Sequence, residues 1–280
     1  MPPSSDRYPR PGAMAIAENA CFFPYEHEGG EGFEQRSSSA VSAMRRRRVF
    51  VGKHQISLHV ADHDAFEELN SPDEIGLHIW PGTHAMAHWL LLLEKRGDLE
   101  GKSVLDVGCG TGFIGILARM AGARRVVLSD GEAKVLNAAE ANVTANGLGD
   151  FMDVQEMNWE DAWKSGGADE VFDLVLLSEV LYVAQPRTVP WRLVDSEVAS
   201  VVALTKARLH ANGMALVTYG NREDGGCEQL RAAAKAIGLT CEDVPLAEVV
   251  PAEDLALDGA LSLRRVRVFC LRHAPGTPAC

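Results

Sequence analysis

The stretch with the most chemistry in it is Leu105-Asp106-Val107-Gly108-Cys109-Gly110-Thr111-Gly112. Glycines at 108, 110 and 112 let a backbone turn tightly and approach a ligand with no Cβ in the way. A dinucleotide loop needs its third glycine one place later, and Phe113 stands there. Nothing nearby calls for a pyrophosphate at a helix N-terminus either. Asp106, two places before the first glycine, suits a ligand with a cationic amino-acid end. S-adenosylmethionine carries an ammonium and a sulfonium; a dinucleotide carries neither.

Further candidates follow at regular intervals. Asp130 ends an apolar run 22 residues beyond Gly108, where a carboxylate can accept both hydroxyls of a ribose. The plainer reading is a turn residue before Gly131. Asn158-Trp159 closes the next run, where an adenine edge and face would lie, although Trp159 also makes an ordinary core residue. Glu179 and Tyr182 stand three apart just past another strand end, so both can face one cavity. A carboxylate there can orient a nucleophilic nitrogen or hold the cation it becomes. The alternative is a turn salt bridge for Glu179 and a core position for Tyr182.

These residues need elements to carry them. SVLDVG (103–108), RRVVLSD (124–130), FMDVQEMNW (151–159), FDLVLLSEV (172–180) and GMALVTYGN (213–221) read as strands. Between them lie helical stretches: TGFIGILARMAG, EAKVLNAAEANVTANGLG with a stop at Asn146-Gly147, and about Ser196 to His210. CEQLRAAAKAIG (227–238) is a further helix, and TCEDVPL and RRVRVFCLR are two last strands with only a loop between them. Alternation of this kind predicts an α/β fold: a doubly wound, mostly parallel seven-stranded sheet ending in an antiparallel hairpin. Its ligand belongs outside the carboxyl ends of the strands. Upstream, VFVGKHQISLHV reads as a β-hairpin turning near Gly52-Lys53, and Pro81 opens a helix that Gly97 ends.

The expected organisation is a flexible tail (1–44), an N-terminal hairpin and helix (45–101), a cofactor-binding domain (102–274) and a short C-terminal tail (275–280). Arg45 to Arg48 read as a solvated hinge, with an import or docking element as the alternative. His84 and His88, four apart on a helix, have a zinc-compatible spacing but no HExxH glutamate and no third ligand, so no metal is expected.

LDVGCGTG, the Ser-Asp pair at 129–130, Trp159 and the SEVLY segment at 178–182 resemble family 16 of the seven-β-strand, class I (Rossmann-like) S-adenosylmethionine-dependent methyltransferases, the protein lysine methyltransferases. GLHIWPGT (76–83) is similar to the family's Gly-x-x-x-Trp segment, and the hairpin to its N-terminal element; the likeness covers about residues 49–273. Carried over, it implies that Trp80 borders the cofactor and that Asp106, Gly108 and Gly110 hold the methionine part. Asp130 would then hold the ribose, and Asn158 with Trp159 the adenine. Ser178 is counted with the cofactor-binding set, and Glu179 and Tyr182 match the acidic-x-x-aromatic motif at the methyl-accepting site. That motif usually begins with Asp. Glu179, with Ser178 before it and Tyr182 at its end, is also similar to the histidine-specific branch, whose motif reads SETIY.

Composition sets the outer bounds. The 280 residues are 46% hydrophobic and 24% charged, the balance of a globular protein. A net charge of −12 argues against nucleic acid as partner and suits a basic protein substrate. No apolar run approaches the roughly 20 residues of a membrane span. The expectation is a monomeric, cytoplasmic and possibly nuclear enzyme that methylates a protein side chain. Its rivals are a small-molecule methyltransferase, a nicotinamide oxidoreductase and a non-catalytic cofactor-binding scaffold.

Overall fold

The computed structural model describes residues 25–27, 44–61, 72–159, 170–181, 195–220, 225–257 and 262–276. Two sheets form its frame. In the first, strand β1 (Tyr25–His27) pairs with β2 (Met44–Val51), which pairs with β3 (His54–Ala61), all antiparallel. Tyr25–His27 thus adds a short strand from within the stretch read as a tail. Residues 1–24, 28–43 and 277–280 of the two expected tails lie outside the described residues.

The four arginines do not form a hinge: they lie inside β2. Arg46 is exposed while Arg47 is buried, an alternation that the strand's pleat imposes. An arginine stem can line an apolar surface while its head finds a polar partner, so four in a row are compatible with a strand.

The second sheet has seven strands: β4 (Ser103–Val107), β5 (Arg125–Asp130), β6 (Met152–Glu156), β7 (Phe172–Ser178), β8 (Leu209–Gly220), β9 (Leu239–Val244) and β10 (Val266–His273). Their spatial order is β6-β5-β4-β7-β8-β10-β9. β10 alone runs antiparallel to its neighbours, slotting between β8 and β9. This is the class I methyltransferase sheet expected from the alternation of strands and helices. β8 starts earlier than the sequence suggests, at Leu209 rather than Gly213, because an irregularity in its pairing with β7 absorbs the turn-like His210–Gly213.

Helices cover both faces. α1 (Pro81–Arg96) carries Pro81 in its first turn, and left-handed Gly97 ends it. The N–H groups of Gly97 and Asp98 close the last turn onto the carbonyls of Glu94 and Leu93. α2 (Phe113–Met120) follows β4, α3 (Ala133–Ala145) follows β5, and α4 (Asp195–Arg208) and α5 (Gly226–Ala236) come later. Alternate residues of each buried strand feed different cores. Val104, Val126, Leu128, Leu174 and Leu216 join α1, α2, α3 and the hairpin residues Val51, Ile56 and Leu58. Leu105, Val107, Val127, Val175 and Val217 join α4 and α5 on the opposite face. Because the hairpin is built into the first core, it is not an appendage. Among the described residues, no helix is long and apolar enough to cross a membrane.

Candidate active site

β4 and β5 end side by side, and the loops leaving them form one wall of a cleft. Gly108, Gly110 and Gly112 all adopt left-handed conformations (φ +65°, +55° and +76°). Space forbids side chains as firmly as the backbone does. A Cβ on Gly110 would sit 2.6 Å from the carbonyl oxygen of Gly76, and one on Gly108 would sit 2.7 Å from Val180 and 3.3 Å from Trp159. The glycine loop is therefore overlaid by the 3-10 turn Pro72–Leu77 on one side and faces Val180 and Trp159 on the other.

Two acids stand behind the loop. Asp106 is buried, and its Oδ2 accepts from the backbone N–H of Gly115 at 3.0 Å. Burial pushes its carboxyl up to about 7, outweighing that hydrogen bond, and the neighbouring Asp130 charge pushes the same way. Asp130 accepts from the N–H groups of Gly110 and Glu132, both at 3.2 Å. Its carboxyl is also raised by burial, against the backbone donors that favour the charged form. Cys109, between the glycines, is held as an inert thiol: burial, with the charges of Asp106 and Asp130, pushes its pKa up.

Glu179 forms the opposite wall. It follows β7 in a left-handed conformation (φ +61°), the only non-glycine with positive φ among the described residues. Such a backbone costs roughly 1–3 kcal/mol, so something must hold it there. Its Oε1 accepts from the N–H of Gly82 at 2.8 Å and of Gly220 at 3.1 Å. Gly82 lies in the first turn of α1, where unpaired amides and the helix dipole favour an anion. A Cβ on Gly82 would fall 2.5 Å from that oxygen, so glycine is needed for the carboxylate to reach the helix. Beside it, Thr218 Oγ1 donates to Ser178 Oγ, which donates to Thr83 Oγ1, each at 3.4 Å. Trp80 caps the same helix and anchors its indole N–H on the carbonyl of Ile75 at 3.1 Å.

The cleft brings together Trp80, Asp106, Gly108, Gly110, Asp130, Trp159, Ser178 and Glu179 of the residues singled out in the sequence. Asn158 is exposed and is not among the lining residues, so its neighbour Trp159 alone faces the cleft. Tyr182 lies outside the described residues. Gly76, the glycine of the Gly-x-x-x-Trp segment, also lines it, with Ile75, His78, Thr83, Val135 and Val180, to which no role was assigned from sequence. His78 and Thr83 lie within GLHIWPGT and Val180 within SEVLY, and membership of those segments was their only signal.

Residues 61–208 match a family described as lysine methyltransferase. The chain belongs to this lysine methyltransferase family. Curated relatives include the ribosomal protein L11 methyltransferases of Thermotoga maritima, 34% identical over 40% of this chain and 42% of that protein, and of Shouchella clausii, 31% identical over 45% and 42%. The chain spans about two-fifths of the length of these relatives. Among solved structures, SMU.776 in complex with SAH shares the fold (TM-score 0.52, 15% identity, 81% of this chain and 55% of that one).

The cofactor of this family member is S-adenosylmethionine, and the donor set of the cleft fits it. Four carboxylates line the cleft (Asp106, Asp130, Glu132 and Glu179), and no lysine or arginine is among the described lining residues. That lining repels a pyrophosphate and attracts a cation. A buried acid raised to about 7 gains most from a cationic partner, which restores its charged form. The bare backbone at Gly108 and Gly110 leaves room for close approach. Among the described residues, no cluster of three metal-ligating side chains occurs; His88 instead faces Asp254 at 3.5 Å.

Proposed function

We propose that the protein transfers a methyl group from S-adenosylmethionine to a side-chain nitrogen of a protein substrate, with lysine as the acceptor. The observation that carries this reading is the anchored Glu179 carboxylate, set across an acid-lined cleft from the glycine loop. Family membership and the protein-methylating names of the relatives support it.

When bound, the cofactor supplies an electrophilic methyl on a sulfonium, so the reaction needs alignment more than activation. Asp106 would balance the cationic amino-acid end, and Asp130 would accept from ribose hydroxyls. Trp80, Val180 and Trp159 exclude water from the walls. The acceptor's chemistry falls to Glu179. A lysine, with a pKa of about 10.4, enters as an ammonium and must lose its proton before attack. The carboxylate holds and orients the cation on entry, and the proton leaves to solvent. The neutral nitrogen's lone pair then forms the N–C bond as the S–C bond breaks toward sulfur. Holding the nitrogen in line can be worth about 7–11 kcal/mol in the best intramolecular models.

A second reading, histidine as acceptor, is favoured by one feature: Glu rather than Asp stands at 179, after Ser178. Glu179 would then accept from one ring N–H and so present the other nitrogen to the methyl. The test is incubation of the purified protein with methyl-labelled S-adenosylmethionine and a cell lysate, followed by identification of the labelled residue. One or a few protein bands carrying methyl-lysine are expected. Methyl-histidine would select the second reading, and label in small molecules alone would overturn both.

A further inference from the structure

Asn142 in the last turn of helix α3 and Asn146 just past its end lie one turn apart, and both use their side-chain amides as if they were strand backbone. Asn146 Oδ1 accepts from the N–H of Ser57 at 2.9 Å, and its Nδ2 donates to the Ser57 carbonyl at 2.8 Å. Asn142 repeats the pattern two residues along the strand, accepting from the N–H of His59 at 2.6 Å and donating to the His59 carbonyl at 3.2 Å. Together the pair covers the edge of β3 that β2 does not occupy. A helix thereby zips onto a sheet edge that would otherwise be open to other strands.

The two asparagines differ in one respect. Asn142 Nδ2 also donates to the carbonyl of Thr111 at 2.8 Å, whereas Asn146 makes its second donation back onto the end of α3, to the carbonyl of Asn142. Thr111 stands between left-handed Gly110 and Gly112 in the loop that lines the cleft. Asn142 is fully buried, and its amide is completely used: both Nδ2 protons are given to carbonyls, and Oδ1 accepts from the His59 backbone and, with Nδ1 protonated, from the His59 ring at 3.1 Å. Only one orientation of the amide satisfies all these partners.

We propose that Asn142 is a positioning residue for the glycine loop: the relay from His59 through Asn142 to Thr111, and not the hairpin's docking as a whole, sets the affinity for S-adenosylmethionine. The inference rests on the glycine loop's being the cofactor cradle. The loop has three left-handed glycines, each free to take other conformations, and its carbonyl at Thr111 needs an external donor to stay put. Asn142 provides that donor only while its own oxygen is held by His59. Coupling of this kind is reciprocal: the His59–Asn142 contact favours the bound loop, and bound cofactor must favour that contact.

Two measurements on the full chain test it. In the first, calorimetry gives the Kd for S-adenosylmethionine and S-adenosylhomocysteine in wild type, Asn142→Ala and Asn146→Ala. Loss of the Thr111 tether should weaken both ligands about tenfold in Asn142→Ala, while Asn146→Ala stays within about twofold although it removes the matching pair of strand-edge bonds at Ser57. In the second, hydrogen exchange on wild type needs no variant to fold. Cofactor should slow the His59 amide about fivefold or more and leave the Ser57 amide within about twofold. Equal weakening in both variants, or equal protection of both amides, would reduce Asn142 to a hairpin fastener and overturn the proposal. Unchanged affinity in Asn142→Ala would do so too. Failure of wild type to bind either ligand would instead overturn the cofactor reading beneath it.

Discussion

Asp106→Asn separates what the cleft needs for folding from what it needs for binding. The variant keeps the shape and retains an oxygen for the Gly115 N–H, but removes the charge. In the wild-type protein the Asp106 carboxyl is raised to about 7 from an ordinary 3.8, so ionising it in the empty cleft costs about 4 kcal/mol. Because the folded value lies above the unfolded one, the native state binds the extra proton between about pH 4 and 7. Stability therefore falls as pH rises through that window, and levels above it. Asn escapes this cost, so the ligand-free variant should unfold at a higher temperature than wild type at pH 8 and at nearly the same temperature at pH 4.

Binding should move the other way. A cationic ligand gains from the ionised form, and losing a charge-assisted contact of about 2–3 kcal/mol weakens Kd roughly 30- to 150-fold at pH 8. Wild-type affinity should also fall about tenfold from pH 8 to 6 and about tenfold more by pH 5, as Asp106 takes up its proton. Burial shifts the Asp130 carboxyl in the same direction. Calorimetry across this range, with thermal unfolding of the ligand-free proteins, is the assay. A variant that binds as tightly as wild type, or a wild-type Kd flat from pH 5 to 8, would refute the role given to Asp106.

Other substitutions follow from the same geometry. Gly110→Ala forces a left-handed alanine (about 1–2 kcal/mol) and a Cβ 2.6 Å from the Gly76 oxygen; calorimetry should show cofactor binding lost while circular dichroism remains native. Glu179→Gln keeps the acceptor for the Gly82 and Gly220 amides, so thermal unfolding should barely change while methyl transfer falls at least tenfold. Glu179→Ala strands both amides and should lower the unfolding midpoint by roughly 5–15 °C as well. Gly82→Ala, with its Cβ 2.5 Å from Glu179 Oε1, should displace the carboxylate; the expected readout is a fallen kcat with the KM for cofactor within about threefold.

The strands at 103–107, 125–130 and 172–178 were legible because parallel strands buried on both faces read as short apolar runs ended by glycine or an acid. Strand 152–156 was overextended to Trp159, since only Met152 of its five residues is buried and its pattern has no sharp end. Tyr25–His27 gave no signal at all: three residues are too few for a period, and their pairing with β2 is a long-range fact. In the site, strand-end acids and the glycine loop were legible because topology sends every parallel strand's carboxyl end to one edge. Ile75, Val135 and Asn142 were not, since each acts across a distance in sequence that composition and spacing do not report. The strand ends at Glu156, so Asn158 lies in the connection beyond it, exposed and outside the lining, while Trp159 faces the cleft.

The most direct test of the account is calorimetric titration of the full chain at pH 8 with S-adenosylmethionine and, separately, with a nicotinamide dinucleotide. An acid-lined cleft over a left-handed glycine loop predicts one S-adenosylmethionine bound per chain and no heat from the dinucleotide. Dinucleotide binding, or a chain that ignores S-adenosylmethionine, would contradict it.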